Sequence, residues 1–332
     1  MKWFACELHT HTVHSDGSQT LQELATGARK LGFEAIALTD HNTMSGLIDK
    51  EEVQRESGLI VISGMEWTTF YGHMVTIGIN SFADWRQTDK DSIDQGIAAV
   101  HRSGGLAGLA HPFRIGSPAC TGCYWEYDIK DWSAVDYIEV WSGTFAPIQI
   151  SNHRAFALWT EKLNERFRVA ATSGRDWHSQ TKTEEPLSVT YLGVPEDAVP
   201  TERQLVEALR CGRVSVTIGP LLELEVELDG ECIGIGGVIP HEKANQALNL
   251  RIKLDFSVRA ESWSLPDQGS PEQRIKVRSD QRIEAECFTN DEATLYEMTV
   301  LGGEKKWLRA ELWGSVHGVS TLIAFTNAIY FD

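Results

Sequence analysis

The sequence is short of positive charge: 30 Lys and Arg stand against 47 Asp and Glu in 332 residues, a formal net charge of −17. That balance repels a polyanionic backbone, so nucleic acid is not an expected partner. No apolar run approaches the ~20 residues that a membrane helix needs. No basic-then-apolar segment opens the chain at Met1-Lys2-Trp3-Phe4-Ala5-Cys6, so no membrane association and a cytoplasmic location are expected. Six cysteines are too few for a disulfide framework at this length. Cys120 and Cys123 form a Cys-x-x-Cys pair with no second pair to complete a zinc knuckle, and they read as ordinary loop thiols. Gly234, Gly236 and Gly237 have no helical pattern behind them, which excludes a dinucleotide-binding fingerprint. Internal repeats and low-complexity tracts are absent as well. What remains, 42% hydrophobic and 23% charged, is an ordinary globular composition.

Over residues 1–218 short β-branched runs alternate with amphipathic stretches, the pattern of repeated βα units around a mainly parallel sheet. The predicted strands are Phe4 to Leu8, Ala35 to Leu38, Leu59 to Ile62, Met74 to Ile79, Leu106 to Leu109, Val135 to Val140 and Val169 to Ala171. Seven strands suggest a barrel. Thr20-Leu21-Gln22-Glu23 reads as a capping box that opens a helix, and Thr201 opens another. Beyond Gly219-Pro220 the period changes to two, as in Leu222-Glu223-Leu224-Glu225-Val226, so residues 219–332 are expected to form a small all-β, sandwich-like domain. The polar stretch from Arg259 to Gln273 reads as a surface loop.

The chemistry concentrates at the predicted strand ends. His9-x-His11 follows the first strand, and side chains two apart in an extended segment point the same way, so both imidazoles can meet one ion. Asp40-His41 follows the second strand, Glu66 the third, His73 opens the fourth, His111 follows the fifth and Asp176-x-His178 the seventh. In a barrel the ends of parallel strands share one face, which makes these distant positions neighbours. Imidazoles mixed with carboxylates suit zinc, manganese or iron, and a carboxylate can bridge two ions. Glu139 is the expected hydrogen-bond partner of a ligating histidine.

His9-Thr10-His11 with Ser15-Asp16-Gly17, Thr39-Asp40-His41, the Glu66 and His73 region, Ala110-His111-Pro112 and Asp176-Trp177-His178 together closely resemble the PHP (polymerase and histidinol phosphatase) superfamily. Glu139-Val140-Trp141-Ser142-Gly143, Gly219-Pro220-Leu221-Leu222 and Thr326-Asn327-Ala328-Ile329-Tyr330 resemble its carbaryl-hydrolase-like branch. The resemblance implies a distorted seven-stranded (β/α) barrel of the PHP fold with two to three divalent ions. One ion would take His9, His11, Glu66 and Asp176; a second would share Glu66 and add His73 and His111; a third would take Asp16, His41 and His178. The implied activity is hydrolysis of a small phosphomonoester by metal-activated water. An ester or carbamate hydrolase is the alternative, ahead of an exonuclease or a non-catalytic metal-binding module. Arg175 reads either as a phosphate clamp or as a salt-bridge partner of a ligand carboxylate, and His14 either as a proton donor or as a solvent-facing side chain. The expected partner is a small, phosphorylated molecule, and the oligomeric state is left open.

Overall fold

The computed structural model describes residues 1–116, 122–262, 273–290 and 293–332. Seven strands lie side by side in chain order: β1 (Lys2–Thr10), β2 (Ala35–Leu38), β3 (Ile60–Thr69), β4 (Gly72–Ile77), β5 (Leu106–Leu109), β6 (Tyr137–Ser142) and β7 (Ala170–Gly174). Pairing is parallel through β1, β2 and β3 and again through β5, β6 and β7. β4 runs antiparallel to both its neighbours. Only Phe70 and Tyr71 separate β3 from β4, and so short a connection permits nothing but a hairpin.

The helices are α1 (Leu21–Lys30), α2 (Lys50–Ser57), α3 (Ile93–Arg102), α4 (Ile150–Asn164) and α5 (Glu202–Arg210). α1 opens on the expected capping box: Thr20 Oγ1 accepts from the Glu23 N–H at 3.2 Å, and Glu23 accepts from the Thr20 N–H at 2.8 Å. It buries Leu21, Leu24, Ala25 and Ala28, a single stripe at helical spacing.

The remaining strands are β8 (Val189–Val194), β9 (Val214–Thr217), β10 (Leu221–Leu228), β11 (Glu231–Gly234), β12 (Val238–Ile239), β13 (Leu248–Asp255), β14 (Arg274–Ser279), β15 (Ile283–Phe288), β16 (Leu295–Val300), β17 (Trp307–Val316), β18 (Val319–Thr326) and β19 (Ile329–Phe331). β11, β10, β13 and β16 form a separate antiparallel sheet. Its period-two pattern is real, since β13 buries Leu248, Leu250, Ile252 and Leu254 and turns the alternate residues outward.

Three features differ from the sequence expectation. The fourth strand is antiparallel. No hydrogen-bonded ladder closes β7 onto β1 among the described residues; the last residue of β1 meets the chain just beyond β7 through the Thr10–Trp177 bridge, where His11 N–H donates to Trp177 O and Trp177 N–H to His9 O, both at 3.0 Å. Finally, β1 pairs with β8, β8 with β9 and β9 with β18, so one hydrogen-bonded sheet runs across residue 218 into the C-terminal strands. Asn327 ties the same regions together, its side-chain amide pairing with both the N–H and the C=O of Ala171 on β7 at 2.7 and 2.9 Å.

Cys123 is disulfide-bonded and not the free thiol expected; Cys120 lies outside the described residues, as do residues 263–272 of the expected surface loop. Among the described residues no helix is long and apolar enough to cross a membrane.

Candidate metal centre

The strand ends converge on Glu66. Its carboxylate is fully buried on β3 and faces five imidazoles: Oε2 lies 3.2 Å from His9 Nε2, 3.5 Å from His11 Nε2 and 2.9 Å from His41 Nδ1, while Oε1 lies 3.0 Å from His73 Nδ1 and 3.3 Å from His111 Nε2. Asp176, just beyond β7, places Oδ1 3.1 Å from His11 Nε2 and 3.4 Å from His9 Nε2. On the open side Asp16 Oδ1 lies 3.0 Å from His178 Nε2 and 3.4 Å from His41 Nε2.

These contacts form groups that can each hold an ion. His9, His11, Glu66 and Asp176 bring one donor atom apiece within 4.8 Å of one another, and so do His11, Asp16, His41 and His178. The remaining groups are His41 with Glu66 and His73, and His9 with His111 and Glu139.

The donor set fits a divalent cation on a direct observation. His9 Nε2, His11 Nε2, Glu66 Oε2 and Asp176 Oδ1 are all buried, yet none makes a hydrogen bond among the described residues, although they face one another at 3.1–3.5 Å. Buried polar atoms are ordinarily paired, and four orphans aimed at a common point are what a shared ion would satisfy. The surrounding groups fix the donors' orientation. Glu139 Oε2 takes the His9 Nδ1–H at 3.0 Å and the His111 N–H at 3.1 Å, so that His9 Nε2, once deprotonated, turns its lone pair toward Glu66 and Asp176. Asp40 holds the turn after His11, accepting from the Thr12 N–H and hydroxyl at 2.7 Å each and from the Ser15 hydroxyl at 2.6 Å.

Protons on His9 and His41 offset carboxylate charge within the cluster, whereas burial pushes the His11 imidazolium down. Burial alone would push the His9 imidazolium down, but Glu139, Glu66 and Asp176 outweigh it and raise it well above the usual range. His41 is raised to about 10 in the same way, against burial, by Asp16 and Glu66. Glu66 and Asp176 are held well below the usual carboxylate range despite burial, chiefly by His9. An arriving cation must therefore displace protons from imidazoles, and its binding strengthens as pH rises.

Close packing at Gly174 shapes the cluster. A Cβ on Gly174 would lie 2.5 Å from His9 Cβ and 2.8 Å from Glu139 Oε1. Gly174→Ala should therefore shift the His9–Glu139 pair, lower metal affinity and cost about 1–3 kcal/mol of stability. Metal titration and thermal melting check both, and unchanged metal affinity would count against the assigned packing. His111 (φ 29°) and Asp176 (φ 55°) also sit in left-handed backbone, an unfavourable conformation for residues with side chains that recurs at functional sites.

Beneath the cluster Glu7 is buried, and its Oε1 accepts from the His9 N–H at 3.1 Å and the Arg175 N–H at 2.8 Å. Burial pushes its carboxyl up to about 7. Between pH ~4.5 and ~7 the unfolded chain loses this proton while the folded chain keeps it, so stability falls with rising pH through that window and levels off above it. The loss is worth about 3 kcal/mol. Glu7→Gln keeps the acceptor oxygen and cannot ionise. Urea unfolding of the metal-free variant should lack this slope and show a gain over the parent at about pH 8; a parallel pH profile would refute the buried proton.

A cavity of about 270 Å³ opens over Asp16, His41, His73, His111, Asp176 and His178. Arg114 lines it and pairs through Nη1 with Asp176 Oδ2. Sequence reasoning missed Arg114, because it lies in a loop without periodicity. The arginine it chose instead, Arg175, turns away: its guanidinium lies 4.7 Å over the Trp177 ring, donates to Thr181 O at 3.1 Å and lines another cleft. His14 is exposed, with its Nδ1 2.9 Å from the Ser45 hydroxyl.

Residues 7–118 match the PHP domain family. The chain carries a PHP domain. The matched span holds every candidate ligand from His9 to His111, while Asp176 and His178 reach the cluster from beyond it. An uncharacterized protein of Methanocaldococcus jannaschii is 28% identical over 125 residues, 34% of this chain and 69% of that one. The phosphoribosyl 1,2-cyclic phosphate 1,2-diphosphodiesterase of Eggerthella lenta is 34% identical over 64 residues, 19% of this chain and 24% of its own length. The fold of the chain is similar to that of a solved structure from Bacteroides vulgatus, a two-domain protein containing a predicted PHP-like metal-dependent phosphoesterase. It superposes with a TM-score of 0.57 at 16% identity and covers 99% of this chain and 95% of its own.

Proposed function

We propose that this PHP domain hydrolyses a small phosphomonoester, with two or three divalent ions (zinc, manganese or iron) held by His9, His11, Glu66 and Asp176, by Glu66 with His73 and His111, and by Asp16, His41 and His178. The observation that carries the reading is a buried carboxylate ringed by five imidazoles, opening into a cavity that also presents an arginine. When bound, such ions act as Lewis acids and acidify water toward neutral pH.

The chain's own groups supply binding and orientation. Arg114 presents a planar fork of N–H donors at the cavity, a shape that matches two oxygens of a phosphate better than the single carbonyl oxygen of a carbamate. Its pairing with Asp176 fixes that fork beside the cluster. Burial of His9, His11, Glu66, His73 and His111 keeps bulk water from the donors and strengthens the electrostatic interactions around them. Supporting the phosphoester assignment, the matched Eggerthella protein is named for phosphodiester cleavage, so a diester belongs among the substrates tried.

Metal-loaded protein should turn over members of a phosphomonoester panel and be inhibited competitively by inorganic phosphate. Hydrolysis of aryl esters or carbamates with no phosphoester turned over would replace this reading with the carbamate-hydrolase one, and diester cleavage alone would shift it to a diesterase.

A further inference from the structure

A second cleft among the described residues is larger than the metal cavity. It measures about 830 Å³ and lies between α1 and the segment that follows β7, within the range of small-molecule sites. Its walls include Leu31, Leu187 and Trp177, and its charged lining includes Lys30, Arg175 and Lys182. In a chain of net charge −17 this is a local concentration of cations, and none of the three makes an ion pair among the described residues. Of the acidic side chains there, Glu23 is committed to the α1 cap, accepting from the Thr20 N–H at 2.8 Å and hydroxyl at 3.1 Å, which leaves Glu184 as the counterweight.

Arg175 is the focus. Its guanidinium is half-buried against the Trp177 ring, and its one hydrogen bond among the described residues goes to Thr181 O. A guanidinium has five donors in a planar fork, so most of this one's capacity is unspent while its plane is already held. A held fork with apolar walls and two flanking lysines suits a planar oxyanion on an apolar body.

We propose that this cleft is a second binding site for a small organic anion, a carboxylate or phosphate carried on an aromatic body, with Arg175 gripping the oxyanion and Lys30 and Lys182 adding attraction at the rim. The proposal does not depend on which reaction the metal centre performs. The wall that would grip the anion is continuous with that centre: Arg175 and Trp177 flank Asp176, and His178 follows directly.

Calorimetric titration of the metal-loaded protein with benzoate and with phenylphosphonate, whose P–C bond hydrolysis does not cleave, tests this. Both should bind saturably, and neutral benzyl alcohol should not. Affinity should fall roughly tenfold or more in Arg175→Ala and also in Lys182→Glu, an exposed position where folding is not at issue, and persist in Arg114→Ala. Equal affinity in the parent and in both charge variants, no saturable binding of either anion, equal binding of benzyl alcohol, or binding lost only in Arg114→Ala would each overturn the proposal.

Discussion

Glu66→Ala should leave a folded protein that retains far less metal than His41→Ala does. Glu66 faces five imidazoles through its two oxygens, whereas His41 approaches the cluster from its exposed side, between Asp16 and Glu66. Removing a partner that only orients a ligand typically costs roughly 10–100-fold in metal affinity. Loss of a central donor should exceed that, and loss of His41 should affect one ion. Without metal the same substitution also removes the charge that balances the raised imidazoles of His9 and His41. Breaking a buried pair this way costs about 3–5 kcal/mol, so the variant should melt early but cooperatively. Elemental analysis on protein shown to be folded by circular dichroism decides it. Equal metal loss in the two variants would remove Glu66 from the centre of the account.

The second large effect should fall on Arg114. If its fork orients the oxyanion, Arg114→Ala should lower phosphomonoester kcat/KM by roughly 10²–10³-fold, in line with the loss of one preorganised donor. Arg114→Lys should recover part of it, keeping the charge and losing the planar fork. Inhibition by inorganic phosphate should weaken in parallel. Bound metal should stay near the parent level, because Asp176 keeps both oxygens. Unchanged kcat/KM in the alanine variant would return Arg114 to a purely structural pairing with Asp176.

The contrast between Arg114 and Arg175 shows what the sequence could and could not reveal. His9 and His11 were legible because they flank the end of a strand at a spacing of two, and the capping box at Thr20 was legible because it is written in four adjacent residues. The bounds of β2 and β5 follow directly from short apolar runs. Direction is a different matter: a run of apolar residues reads alike in parallel and antiparallel pairing, so β4 was placed but its reversal was not. β8, buried along its whole length, carries no alternation and passed unnoticed, as did the four-residue β9. With them went the continuity of the sheet across residue 218. Arg175 was chosen because it adjoins Asp176, yet neighbours in sequence can face opposite sides of the chain, and Arg175 does so. Arg114 reaches Asp176 across 62 positions, a separation that only the fold can close.

The central claim, that this PHP domain is a metal-dependent phosphoesterase, is tested most directly by measuring turnover of a phosphomonoester and bound metal on one sample. The protein would be assayed as purified, after chelation, and after reloading with zinc, manganese or iron. The account predicts turnover that disappears with the metal and returns with it, and that does not return in Glu66→Ala. Full turnover in protein shown to be metal-free would contradict it.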